Sequence, residues 1–239
     1  HRFRQTASPS FRESLQANLA MIEGVKTATD TVLRPTGWSS LRWDDELHTL
    51  TAKHETRGEL PLSMLSDGVR TMLALVADVA RRCASLNPQL SDRAAIETPG
   101  VLIVDEVDMH LHPSWQQTVL GALREAFPRV QFIVTTHSPQ VLTSVSAECI
   151  RLLQGEVDNE TGKPLASVHE FHVQTQGVAS STILAEVMDT DPVPDIEPAQ
   201  WLSRYIADVS GLVTTTLPLP IGYWLADRMG EQRQRVGHG

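Results

Sequence analysis

The stretch Gly100-Val-Leu-Ile-Val-Asp105-Glu106-Val-Asp108 constrains this chain more than any other. Four apolar residues, introduced by Pro99 and Gly100, run without alternation into two adjacent carboxylates, and a third carboxylate follows at Asp108. A short unbroken apolar run of this kind reads as a buried strand of a parallel sheet. A second run, Val130 to Thr135, comes after a helical pattern that Pro113 opens at its favoured first position and that reaches about Phe127. Strand, helix and strand in that order predict a βαβ unit, hence an α/β fold built on a parallel sheet.

Open parallel sheets place their ligands at the carboxyl ends of the strands. Asp105 and Glu106 end the first run, and Thr136-His137-Ser138-Pro139 ends the second. Asp105 suits a magnesium ion, a hard cation that takes oxygen ligands and keeps several waters. Glu106 suits activation of water in a phosphoryl transfer, where the protein mostly positions groups and offsets charge. A solvated acidic turn after a core strand would carry the same two residues. His137 is placed to reach a phosphate oxygen and the attacking water, although an isolated histidine is more often structural. Ser138 and Pro139 read as the start of the next helix. Leu65-Ser66-Asp67-Gly68-Val69-Arg70 reads as another helix start. There Ser66 or Asp67 can cap, Gly68 permits close backbone approach, and free N–H groups favour an anion. On this motif alone an ordinary N-cap is the better reading, and Asp67 sets a negative charge beside the anion position.

The rest of the chain arranges itself around this unit. Leu15, Leu19, Ile22 and Val25 recur at helical spacing within a helix from Pro9 to about Val32. Leu41 to Lys53, including Leu47, reads as short antiparallel strands, and Leu60-Pro61-Leu62 leads into the Ser66 motif. Val69, Met72, Leu73, Val76, Val79 and Ala80 form one stripe of a helix ending near Asn87-Pro88, after which residues 86–99 read as a surface loop. Ile150 to Leu153 reads as a strand, Asp158 to Gly162 as turn chemistry, and Ser167 to Val173 as the hairpin partner. A Pro-rich link, Asp191 to Pro198, precedes a short helix with Trp201, Tyr205 and Ile206, and residues 211–239 change character to Leu-Pro and then Arg/Gln-rich sequence. The expected organisation is an arm over 1–37, a main body over 38–175, a helical segment over 176–210 and a tail over 211–239.

Composition narrows the function classes. The 239 residues are 41% hydrophobic, enough for a real core. A net charge of −9, from 29 acidic and 20 basic side chains, offers no global basic surface for nucleic acid. Cys83 and Cys149 lack metal-ligand spacing and read as reduced cytosolic thiols, so a cytoplasmic setting is expected. No apolar run approaches a membrane span. A start at His1, in what reads as the approach to a helix, is expected of a piece of something longer.

LSDGVR, GVLIVDEVDMHLHP and FIVTTHSP, in that order and spacing, resemble the C-terminal lobe of ABC-type ATPase domains of the RecF/SMC/OLD kind, and the AAA-21 subgroup among them. The resemblance covers roughly residues 41–153. It implies a P-loop NTPase core of which this chain carries one lobe, with ATP as substrate and magnesium as cofactor. Asp105 would serve the magnesium, Glu106 would be the catalytic base, and His137 would sense the γ-phosphate. Ser66 and Gly68 would contact nucleotide held by an opposite protomer, and Asp108 would lie in the loop crossing that interface. The implied assembly is a homodimer closed head-to-head around ATP, and the leading helix would be the return arm of an insertion between lobes. The pattern departs in one respect: no G-x-x-x-x-G-K-[ST] occurs, and Gly162-Lys163-Pro164 lacks both the hydroxyl and the spacing. Asp189-Thr190-Asp191 has the spacing of a Toprim Asp-x-Asp but lacks an apolar strand before it. Ser181 to Asp208 instead resembles the helical C-terminus of defence ATPases similar to Septu PtuA, which implies a separate nuclease partner and an anti-phage or DNA-repair role in which DNA is a further partner.

Two other readings fit the residues. Asp105, Asp108, His110 and His112 would suit a metal-dependent nuclease or phosphoesterase if His110-x-His112 were extended. A non-catalytic interaction module is the other, since phosphate contacts in such ATPases come mainly from the loop that these residues lack.

Overall fold

The computed structural model describes residues 9–157, 162, 164–170, 173–191 and 195–202. The chain divides into two compact units, His1–Thr190 and Asp191–Gly239.

In the first unit, helix α1 (Pro9–Leu33) leads into a three-stranded antiparallel sheet, β1 (Trp38–Asp44), β2 (Thr49–His54) and β3 (Gly58–Pro61), in the order β1-β2-β3. Leu47 sits in the β1–β2 turn rather than in a strand, and β3 adds a strand where only a lead-in was expected. The register of β1 shifts between Ser39 and Arg42, where Ser40 takes a φ of 56° and its N–H donates to Asp30 Oδ1 of α1 at 2.7 Å. That bond ties the sheet to the arm. Helix α2 (Asp67–Leu86) follows and buries Val69, Met72, Leu73, Val76, Val79, Ala80 and Cys83 on one face. This is the stripe the periodicity predicts, and each of its buried Val, Met and Leu side chains contributes about 1.5–3 kcal/mol.

Residues 86–99 depart from the surface-loop expectation: a 3-10 segment, Pro88–Arg93, and a short helix, α3 (Ala94–Glu97), carry Ala94 and Ala95 into the core. Glycine at 24 permits the approach, since a Cβ there would sit 2.9 Å from Asp92 O. Strand β4 (Gly100–Val104) is followed by α4 (Pro113–Gln116), α5 (Val119–Ala126) and β5 (Val130–Val134). The one helix expected from Pro113 to Phe127 is thus broken at Gln117 and Thr118. Beta4 and β5 pair in parallel, Gly100 with Val130 through Val104 with Val134, which confirms the βαβ unit and the α/β class.

The sheet corrects one expectation. Leu102, Val104, Val130, Phe132 and Val134 pack against the core, but Val101 is 61% and Ile103 73% exposed. Successive strand side chains face opposite ways, and only one face of this pair is covered among the described residues. The apolar stripe of α1 behaves likewise. Leu15, Leu19 and Ile22 are exposed, whereas Ala28, Val32 and Leu33 are buried against the rest of the unit. Beyond β5 come α6 (Pro139–Leu142), the antiparallel hairpin β6 (Arg151–Val157) and β7 (Pro164–Glu170), and α7 (Ser180–Glu186). The hairpin partner begins at Pro164 rather than Ser167, and Val173 falls outside the strand. Most of the Asp158–Gly162 turn lies outside the described residues. In the second unit a helical turn over 197–202 holds Trp201, and Tyr205, Ile206 and residues 211–239 lie outside the described residues. No described helix is long and apolar enough to cross a membrane.

Candidate functional site

Parallel register sets the site. Val104 and Val134 are paired, so the residues after them, Asp105-Glu106 and Thr135-Thr136-His137, emerge side by side at the carboxyl ends of adjacent strands. Backbone bonds lock the junction: Thr135 N–H donates to Val104 O and Val107 N–H donates to Thr135 O, each at 3.0 Å. Side chains then fix the carboxylates. Thr135 Oγ1 donates to Asp105 Oδ1 and accepts the Glu106 N–H at 2.8 Å. Thr136 Oγ1 donates to Asp108 Oδ1 and accepts the Ser138 N–H at 3.0 Å. Two consecutive threonines therefore orient two of the three carboxylates.

Glu106 has a φ of 49°, in the left-handed region that a residue with a side chain rarely adopts. Such conformations cost about 1–3 kcal/mol and persist where surrounding bonds over-determine them. Here the Thr135 bond and the Met109 N–H donating to Glu106 O at 2.9 Å do so. The Glu106 side chain is exposed. Asp105 and His137 are also exposed, and Asp108 is half-buried.

The loop after Asp108 is tied down from below. Gln116 Nε2 donates to Leu111 O at 3.0 Å and to Asp108 O at 3.4 Å. Ser138 Oγ lies 2.7 Å from Gln116 Oε1 and 2.9 Å from Gln140 Oε1, and its single proton serves one of them at a time. Ser138 also caps α6 by accepting the Val141 N–H, as the Ser-Pro pair predicts. Gln116 and Ser138 thus link the carboxylate loop to the His137 segment. Sequence reasoning passed over Thr135, Thr136 and Gln116; the adjacent hydroxyls before the histidine were the available signal.

Gly68 joins the α2 start to the same loop. A Cβ at Gly68 would lie 2.3 Å from His110 O, so only glycine lets the two segments meet. Ser66 stands at the N-cap position, but neither it nor Asp67 supplies the expected cap: Ser66 makes no side-chain capping bond, and Asp67 pairs with Arg70. That ion pair screens the negative charge beside the helix start, and the Ser66 hydroxyl stays exposed and uncommitted to the helix.

A magnesium ion of the kind held mainly by water and phosphate fits this donor set, because Asp105 commits one carboxylate oxygen to Thr135 and sits exposed at the strand end. A protein-built metal centre does not fit. Among the described residues no three His, Cys, Asp or Glu side chains are grouped to hold a metal. His110 has a left-handed φ of 62°, and His112 is the α4 cap whose ring accepts the Ser114 N–H, so the extended His-x-His of the nuclease reading is not formed.

Carboxylate and histidine loops at the carboxyl ends of adjacent parallel strands define the class, an α/β unit with its polar residues gathered at one edge of a parallel pair. The chain belongs to the AAA-21 family, described as "AAA domain, putative AbiEii toxin, Type IV TA system", which matches residues 9–143. It is similar to the "Retron Vc95 probable ATPase" of Vibrio cholerae serotype O1 biovar El Tor, 46% identical over 95 residues that make up 40% of this chain and 18% of that protein. It is also similar to "Septu protein PtuA" of Bacillus mycoides (strain KBAB4), 35% identical over 96 residues, 40% of this chain and 13% of that protein. The chain therefore spans less than a fifth of the length of these relatives. Among solved structures it resembles one described as "Structural biochemistry of ATP-driven dimerization and DNA stimulated activation of SMC ATPases", with a TM-score of 0.45, 16% identity, and coverage of 72% of this chain and 97% of that one.

Proposed function

We propose that this chain is the hydrolytic half of an ATP-binding head that works in anti-phage defence or DNA repair. The observation that carries the reading is the Asp105-Glu106 pair, held by Thr135 at the mouth of the parallel β4–β5 pair with His137 on the adjoining loop. Asp105 holds the magnesium ion, which when bound offsets charge on the phosphates. Glu106, exposed at its left-handed turn, takes a proton from the water that attacks the γ-phosphorus as the bond to the bridging oxygen breaks. His137 donates a hydrogen bond to a γ-phosphate oxygen. Ser66 and Gly68 meet nucleotide held by a second copy, and Asp108 lies in the loop facing it, so the working unit is a homodimer closed around ATP. The name of the retron relative, a "probable ATPase", supports the ATPase role. In such a system a nuclease effector and DNA are the expected partners, and the setting is the cytoplasm. These 239 residues contain no glycine-lysine phosphate loop, so that loop comes from another segment or subunit.

The test is Glu106→Gln in the complete ATPase. Turnover is expected to fall by about a hundredfold or more, with an ATP-bound dimer accumulating in size-exclusion chromatography. Wild-type hydrolysis by the variant would refute the role given to Glu106.

A further inference from the structure

His137 is exposed, so the direction of its ring depends on how the backbone on either side is held. Both neighbours are tied to one loop. Before it, Thr136 Oγ1 donates to Asp108 Oδ1. After it, the Ser138 hydroxyl, on a residue only 5% exposed, lies 2.7 Å from Gln116 Oε1. Gln116 holds the same loop from its other end, donating from Nε2 to Leu111 O at 3.0 Å and to Asp108 O at 3.4 Å. The histidine therefore sits between two bonds that both run to the loop following Glu106.

The chemistry of Gln116 admits one arrangement. The Asp108 and Leu111 carbonyls only accept, so the amide nitrogen must face them, which leaves the amide oxygen for Ser138. Gln140 is not constrained in this way. Its carboxamide can turn end for end and donate to the Ser138 oxygen, which commits the hydroxyl proton to Gln116. Water does not readily replace that bond, because Ser138 is buried. The loop itself carries two left-handed residues, Glu106 at a φ of 49° and His110 at 62°. Such conformations persist only where surrounding bonds hold them, and Gln116 supplies two of those bonds.

We propose that Gln116 is a positioning residue that sets His137 against Glu106, by fastening the segment after the histidine and the loop after the glutamate to a single side chain. The inference rests on the hydrolytic reading of the site and gives Gln116 no contact with nucleotide.

The test has two parts. Amide exchange on the full 239-residue chain reads the link without nucleotide. Gln116→Met, close in volume but with no amide, should speed exchange across both 108–111 and 137–142 and leave 49–61 unchanged. Gln116→Glu keeps the oxygen that Ser138 needs and loses both donors, so it should speed 108–111 alone. In the complete protein, either variant should lower kcat for ATP about tenfold or more, with KM unchanged. Ser138→Ala should also lower kcat in the wild-type background, but in Gln116→Met it should change kcat by less than about twofold, because the two residues share one bond. Exchange at 137–142 untouched by Gln116→Met, faster exchange everywhere including 49–61, unaltered kcat, or multiplicative losses in the double variant would overturn the proposal. An inactive Glu106→Gln protein beside fully active Gln116 variants would overturn this proposal alone. Wild-type hydrolysis by Glu106→Gln would instead remove the hydrolytic reading, and any role of Gln116 in turnover with it.

Discussion

Replacing Gly68 by alanine tests the joint between the α2 start and the carboxylate loop. The added Cβ would lie 2.3 Å from His110 O, 2.9 Å from its carbonyl carbon and 3.3 Å from Leu111 Cδ2. The first two are backbone atoms, so no side-chain rotation relieves the clash. Carbon and its neighbours settle at about 3.5–4 Å, so the loop must retreat by roughly 1 Å. Overpacking of this kind costs about 1–3 kcal/mol. Alanine recovers at most about 1 kcal/mol of helix propensity, and less at the second residue of a helix. The expected net loss is about 1–2 kcal/mol, or a Tm lowered by roughly 2–8 °C for a chain of this size. Gly121 provides the matched control, because it lies inside α5 and a Cβ there would meet nothing within 4 Å. Gly121→Ala should stabilise by about 0.5–1 kcal/mol. Thermal unfolding of both variants, with amide exchange across residues 106–112, reads the difference. A Gly68→Ala protein as stable as wild type, or one whose loop exchange is unchanged, would show that the Gly68–His110 approach is not enforced.

Thr135→Val removes both the donor to Asp105 and the acceptor of the Glu106 N–H. On the proposed function, the complete protein should lose about tenfold in ATP turnover, with nucleotide affinity little changed, and unaltered turnover would reject Thr135 as the positioning residue. Glu59 gives a pH signature in the antiparallel sheet. The Arg42 guanidinium, and then the Thr51 hydroxyl, hold its carboxyl at about 2 against an ordinary value of 4.5. A carboxyl lowered in the folded state stabilises above its unfolded value and loses that contribution as pH falls through its folded value, here from about 4.5 down to about 2. Glu59→Gln should flatten the decline of Tm across that window, and identical pH profiles for the two proteins would refute the assignment.

Several features were legible in the sequence because their causes are local. Val69 to Ala80 repeat at helical spacing, and that spacing alone puts them on one face of α2. Ser138-Pro139 carries its own helix start, and two unbroken apolar runs separated by a helix leave little choice but a parallel pair. The carboxylates and His137 could be named because parallel strands deliver their carboxyl ends to one edge. Other features depend on which distant segments touch. The runs of β4 and β5 do not say how many faces are covered, so the exposure of Val101 and Ile103 was not readable from them. Thr135 serves Asp105 from 30 positions away, and Gln116 serves Ser138 from 22. Hydroxyl and amide partners of that kind have no periodicity to betray them. The sequence by itself determined the βαβ unit and the residue types at its mouth, since apolar periodicity and turn chemistry act over a few residues. Tertiary structure alone decided the left-handed turn of Glu106 and the seat of Gly68 under His110, because each arises from backbones brought together across long stretches of chain.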